Sequence, residues 1–154
     1  MTDIQVETLS PSPEATDPRI PPRDQVVVRD LVERWNRESP EKVFAVLDDG
    51  STWTYAELRD LVIQTALGLQ QQGVKQGDHV IVWLPNTPAN VRIFLALNYI
   101  GAVYVGINTS YRGNLLAHVV NISDARLIVA HADLAPRLIH EDLLVEVIIT
   151  PAKP

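Results

Sequence analysis

The sequence predicts an α/β fold: a doubly wound, largely parallel sheet with flanking helices. Three observations carry that prediction. The stretch "HVIVWLP", His79–Pro85, sets apolar residues side by side without alternation, the mark of a strand covered on both faces. Strand-like runs begin near residues 79, 103, 126 and 145, separated by roughly one βα unit each. The segments between them carry apolar residues at helical spacing, bounded by capping and glycine signals.

The chain opens in a different register. "TLSPSPEATDPRIPP" holds five of the eleven prolines and nothing that could form a packed face. Residues 1–23 therefore read as a mobile tail and residues 24–154 as the domain. In "DQVVVRDLVERWNRES", Val27, Leu31, Val32 and Trp35 share one side at spacings of three and four, with Asp24 as the expected N-cap of an amphipathic helix. "VFAVL" is a strand, "DDGS" has hairpin-turn chemistry, and "TW" begins the return strand.

"TYAE", Thr54–Glu57, fits a capping box: the threonine hydroxyl accepts from the Glu57 amide and the Glu57 carboxylate reaches back. The helix it opens turns Leu58, Leu61, Val62, Thr65, Ala66 and Leu69 inward and stops at Gly73. After the strand "HVIVWLP", Thr87 is the expected cap and Pro88 suits the first turn of a helix running to Ile100, ended by Gly101. Then come the strand "AVYVGI", a helix from Gly113 to Ile122, the strand "ARLIVA", a short helix around Pro136–Leu143 and the strand "VEVIIT". The chain ends four residues later with no helix to cover that last strand, so the domain is expected to be truncated at its C-terminal edge.

Composition narrows the function. The apolar fraction of 46% over 154 residues suits a folded domain and excludes a wholly disordered chain. No apolar run reaches the roughly 18 residues of a membrane span. "MTDIQVETLS" lacks a basic segment followed by an apolar one, so a secretory signal is not expected and a cytoplasmic location is. The absence of cysteine removes disulfides, thiolate metal sites and thiol nucleophiles together. A formal charge of −6 argues against nucleic-acid binding, which depends on clustered cations.

Catalytic patterns are sparse. The sequence has no G-x-x-x-x-G-K-[ST], G-x-G-x-x-G or G-x-S-x-G. His79, His118, His131 and His140 lack the spacing that brings two ligands to one helix face, so no metal site is expected. The pairs Asp48–Asp49 and Glu141–Asp142 are adjacent, which makes each pair diverge and favours turn or solvated-face roles over acid–base work. Trp53 and Trp83 sit in strand patterns and read as core.

Two loops follow the carboxyl ends of expected parallel strands, where open α/β sheets place their ligand crevices: "PNTP", Pro85–Pro88, and "NTSYR", Asn108–Arg112. Backbone amides at a helix start with Arg112 beside them could hold an anion. Asn108, Thr109, Tyr111 and Arg112 are accordingly the candidate cofactor-binding residues, at the rim of a crevice. Simple turn and cap roles for Asn108, Thr109 and Ser110 stand as the alternative. No catalytic residue is assigned.

From Thr52 onward the chain strings together "TYAEL", "GVKQGD", "VIVWLPN", "GAVYVGIN" and "SDAR". This ordered series resembles the amino-terminal region of the adenylate-forming, AMP-binding acyl-activating family: acyl-CoA synthetases, aryl-CoA ligases, luciferases and peptide-synthetase adenylation domains. It covers about two thirds of the chain, and "INTSYRGNLLAHVV" looks most like the acyl-CoA and carnitine-CoA ligase branch.

The resemblance implies an incomplete N-terminal subdomain of the acyl-activating fold. It also implies an enzyme that joins a small-molecule carboxylate to ATP, releases pyrophosphate, and transfers the acyl group to coenzyme A. ATP, Mg and CoA are the cofactors implied for the full-length enzyme; none is expected to bind this chain tightly. The family's phosphate loop, its ribose-contacting acidic segment and its carboxy-terminal lysine have no counterpart here, so the chain alone is expected to be inactive and its partner to be the remainder of the enzyme. "GINTSYRG" resembles a structural rim element of such enzymes, not their phosphate loop. Two positions depart from the family pattern: Gly106 stands where proline is usual, which should loosen the turn into Asn108, and Asp124 stands where glycine is common.

A second reading is a stand-alone α/β binding or interaction module whose sheet edge near Val145–Thr150 is covered by a partner or by self-association. A third, a small nucleotide-binding regulator of flavodoxin-like shape, needs an acidic pocket or glycine-rich loop after the first strand. "LDDGST" reads better as a hairpin turn.

Overall fold

Helix α1, Val28–Glu38, has Val27 as N-cap without a side-chain capping bond, and Asp30 supplies the acidic residue of its first turn. The computed structural model describes residues 19–21 and 25–138 and the backbone of 146–150; Asp24, nearly all of the tail, residues 139–145 and residues 151–154 lie outside them. Val32 is the buried residue of α1, and Trp35 stacks on Tyr55 with ring centroids 5.4 Å apart. Glu33 secures the helix: Arg59 Nε donates to both of its carboxylate oxygens at 3.0 Å, and the Tyr99 hydroxyl donates at 2.6 Å. Burial alone would raise the Glu33 pKa, but the bonds from Tyr99 and Arg59 and the guanidinium charge outweigh it and hold the carboxyl below its ordinary value. Tyr99 moves the opposite way, its phenol pushed up by burial and by its bond to Glu33.

A hairpin follows. Strand β1, Val43–Val46, pairs antiparallel with β2, Thr52–Thr54, with an irregularity between Val43 and Ala45. Asp49 builds the turn by accepting from the Ser51 amide at 2.9 Å and its hydroxyl at 2.6 Å. Helix α2, Tyr55–Gln71, opens with both halves of the expected capping box on Thr54 and Glu57. Leu58, Val62, Ala66 and Leu69 form its buried face.

The main sheet contains β3, His79–Trp83; β4, Val103–Gly106; β5, Ala125–His131; and β6, Glu146–Thr150. Its order is β4-β3-β5-β6 and every pairing is parallel. The chain winds first one way and then the other from β3, so β3 and β5 flank the point where connections diverge. Helix α3, Pro88–Ile100, joins β3 to β4, and α4, Gly113–Ile122, joins β4 to β5. Gly101 ends α3 at φ 76° and Asp124 precedes β5 at φ 51°, both left-handed as those residue types allow.

The non-alternating runs resolve into two cores. Val80, Val82, Leu127 and Val129 meet α2 and α3 on one face; Ile81, Trp83, Ile128 and Ala130 meet Leu116 and Val120 of α4 on the other. Trp83 is fully buried, while Trp53 is half-buried against the first core.

Two expectations are met in part. Thr87 occupies the expected N-cap position, but its hydroxyl turns back to the Pro85 carbonyl at 3.4 Å and makes no capping bond. Of the short helix expected around Pro136–Leu143, the described part is a four-residue 3₁₀ turn, Ala135–Leu138, with Ala135 and Leu138 closing over the second core; residues 139–143 lie outside the described residues.

Candidate functional site

The carboxyl end of β3 runs through Leu84 into the Pro85–Thr87 loop and the first turns of α3. Together with the β1–β2 hairpin these elements wall a groove of about 1070 Å³. Ala45, Val46, Leu47 and Trp53 line its hairpin side, Val91 and Phe94 its helix side, and His131 its far end at the tip of β5. The location matches the divergence point of the sheet, where open α/β folds bind their ligands.

Tyr104 forms the floor. Its ring meets Phe94 edge-on at 5.2 Å, and its hydroxyl donates to Asn90 Oδ1 at 2.9 Å. The Asn90 amide nitrogen in turn donates to the Pro85 carbonyl at 3.4 Å, which ties the loop to the helix. Gly106 makes room for the ring: a β-carbon there would lie 2.7 Å from Tyr104 Cε1. The polar lining is thin. Asp48, Asn86 and Arg92 reach the groove, and Arg92 Nε is buried without a hydrogen-bond partner among the described residues. At His131, Nδ1 accepts from the Asp133 amide at 3.3 Å.

The "NTSYR" loop lies outside this groove. Trp83 Nε1 donates to the Asn108 carbonyl at 3.0 Å, and the Asn108 side chain accepts from the Ser110 amide at 2.8 Å. Arg137 donates to the Thr109 carbonyl at 2.7 Å while its guanidinium sits 5.8 Å from the Trp83 ring centroid. Arg112 donates to the Ser110 carbonyl at 2.8 Å, and Tyr111 packs against the second core. Of the two loops marked by the sequence, "PNTP" lines the groove and "NTSYR" rides on the α4 side.

His79, which opens β3, is satisfied by the Ser123 carbonyl at 2.7 Å. His131, Asn90 and Tyr104 are groove residues that sequence reasoning passed over. His131 ends a strand, a position that could have marked it; Asn90 and Tyr104 carry no local signal, because they meet only when α3 packs on β4.

The divergence-point groove and the two-faced parallel sheet define a doubly wound α/β architecture. Residues 32–152 match the sequence model of the AMP-binding enzymes. The chain belongs to that family, and corresponds to the amino-terminal portion of its adenylate-forming fold.

Among curated relatives, it is 34% identical over 100 residues to the 2-succinylbenzoate--CoA ligase of Geobacillus sp. (strain WCH70), a match covering 65% of this chain and 20% of that protein. Among solved structures, the Brucella canis acyl-CoA synthetase superposes with a TM-score of 0.68 at 25% identity, over 76% of this chain and 22% of that one. The Klebsiella oxytoca NpsA N-terminal subdomain, solved with anthranilyl-AMSN, gives a TM-score of 0.69 at 25% identity, over 79% of this chain and 30% of that one. The chain thus spans about a fifth of the length of the curated relatives it matches.

Proposed function

We propose that this chain supplies the amino-terminal part of an ATP-dependent acid–thiol ligase acting on a small-molecule carboxylate in the cytoplasm. Such a ligase joins the carboxylate to ATP as an acyl adenylate with release of pyrophosphate, then forms the thioester with coenzyme A. The observation that carries the reading is the family match over residues 32–152, shared with relatives that are themselves CoA ligases.

The adenylation and thioester steps are assigned to residues outside this chain. A nucleotide's phosphates need converging amides and cations. The described loops do not fit that demand. The Ser110 amide is already bonded to Asn108, the arginines Arg112 and Arg137 are bonded to loop carbonyls, and the first residue of α3 is a proline with no N–H to give. Asn108, Thr109, Tyr111 and Arg112 then brace the loop after β4 on the α4 side instead of lining the groove, and ATP, Mg and CoA are held by the rest of the enzyme.

Carboxylate-dependent ATP–pyrophosphate exchange tests this. The 154-residue chain alone is expected to give no exchange above the blank with fatty or aromatic carboxylates; measurable exchange overturns the assignment. In a hybrid where this chain replaces the matching hundred residues of the Geobacillus ligase, exchange on that enzyme's own carboxylate is expected to persist. A folded hybrid without exchange would remove these residues from the ligase scaffold.

A further inference from the structure

Asp49 is followed by Gly50, and no other aspartate or asparagine in the chain precedes a glycine. The pairing has chemical weight. The amide nitrogen of the next residue can attack an aspartyl side chain at Cγ, and a β-carbon on that next residue crowds the attack. At Gly50 no atom stands within 4 Å of where a β-carbon would be, and Asp49, Gly50 and Ser51 are all exposed.

The turn folds the side chain toward that amide. Asp49 Oδ1 accepts from the Ser51 amide at 2.9 Å and from its hydroxyl at 2.6 Å, which closes the side chain over the peptide that carries the Gly50 nitrogen. One bond opposes the reaction: the Gly50 amide donates to the Leu47 carbonyl at 3.0 Å. Two-stranded hairpins open locally at little cost, and β1–β2 pairs with no further strand among the described residues. Each opening frees the Gly50 amide while Asp49 Cγ stays within reach of ring closure.

We propose that Asp49 is a site of spontaneous isoaspartate formation, and that the conversion releases the β1–β2 hairpin. The Gly50 nitrogen bonds to Cγ of the protonated Asp49 carboxyl, whose hydroxyl leaves with the amide proton as water. A second water opens the resulting succinimide. Addition at Cγ restores aspartate. Addition at the Asp49 main-chain carbonyl breaks its bond to the Gly50 nitrogen, so the chain then runs through Cβ and Cγ and the old carbonyl becomes a free carboxylate. No oxidant, reductant or second substrate is required. The backbone gains a carbon between Val46 and Thr52, which pair across the turn, and Ser51 loses the oxygen that holds it. Val46 and Leu47 line the groove, so the change falls on that wall. The chemistry needs only this turn and is independent of the ligase reading.

Incubation of the folded 154-residue chain at neutral pH over several weeks tests the proposal. Isoaspartate is read by electron-transfer fragmentation, which cleaves the Cα–Cβ bond of an isoaspartyl backbone, and by methyl transfer from an isoaspartyl-specific methyltransferase. The expected result is conversion at Asp49 ahead of every other aspartate and asparagine. The Leu47 amide, which donates to the Ser51 carbonyl at 2.8 Å, should exchange faster in converted chains while β3 stays protected. Gly50→Ala should slow conversion several-fold. Alanine is strained at the Gly50 φ of 81°, so Asp49→Asn is the second variant. It keeps the Oδ1 acceptor and loses ammonia more readily than aspartate loses water, so the same isoaspartyl product should form several-fold faster.

An Asp49 that stays unconverted overturns the proposal, as does isoaspartate arising equally fast at other sites. Conversion that leaves Leu47 exchange unchanged, or an Asp49→Asn chain that forms isoaspartate no faster, overturns it as well.

Discussion

Gly106 and Tyr104 form a pair in which one residue's missing side chain shapes the other's position. A β-carbon at Gly106 would stand 2.7 Å from Tyr104 Cε1 and 3.1 Å from its hydroxyl oxygen, too close for either atom to stay in place. Gly106→Ala should lift the ring off the groove floor, stretch the bond to Asn90 and destabilise the fold by about 1–2 kcal/mol. In a Tyr104→Ala background the same change should be neutral or mildly stabilising, because alanine costs less backbone entropy than glycine in a strand. A urea-denaturation double-mutant cycle reads the coupling, and additive effects would refute it. The turn into Asn108 also has anchors beyond residue 106: the Trp83 indole holds the Asn108 carbonyl and Arg137 holds that of Thr109.

At the scale of elements, two devices decide how the helices sit. The Thr54 hydroxyl accepts from the Glu57 amide at 3.2 Å, so Thr54→Ala should cost about 1 kcal/mol and Thr54→Ser much less, read by urea midpoints. Glu33 joins α1 to Arg59 of α2 and Tyr99 of α3. Its carboxyl pKa is lower folded than unfolded, so its contribution is fully present above the unfolded value and lost as pH falls through the folded one. Stability should therefore fall as pH drops below about 4.3, and Glu33→Gln should make that fall shallower while lowering stability at neutral pH by roughly 1–2 kcal/mol. Some acid slope will remain, because Glu57 is also held low by its bonds to the Thr54 backbone and hydroxyl. Tyr99 has the opposite sign: its raised phenol contributes below the ordinary tyrosine value and loses that contribution as pH rises through the folded one. Thermal melts across the pH range check both limbs.

Over the whole molecule, the sheet was the most legible part. "HVIVW" and "RLIVA" place apolar residues toward both faces, and the structure divides them residue by residue between two cores. Helix limits were legible where chemistry is local, as at Thr54, Gly101 and Ile122. The groove was not. Its walls come from β1, α3, β4 and β5, and their proximity follows from strand order, which no local pattern encodes. Trp83 was readable as core, but nothing near it in sequence indicated that its N–H would reach Asn108. Thr87 holds the N-cap position the sequence indicated, but its hydroxyl donates to the Pro85 carbonyl, a partner no local pattern signalled.

That same strand order bears on synthesis. As the chain leaves the ribosome, β3 finds β4 first, while its other flank stays open until Ala125–His131 emerges. A nascent chain paused between the two carries a bare row of backbone donors and acceptors at what becomes the middle of the sheet. The time between the emergence of Gly106 and that of Ala125–His131 thus sets how long that row is offered to the wrong strand.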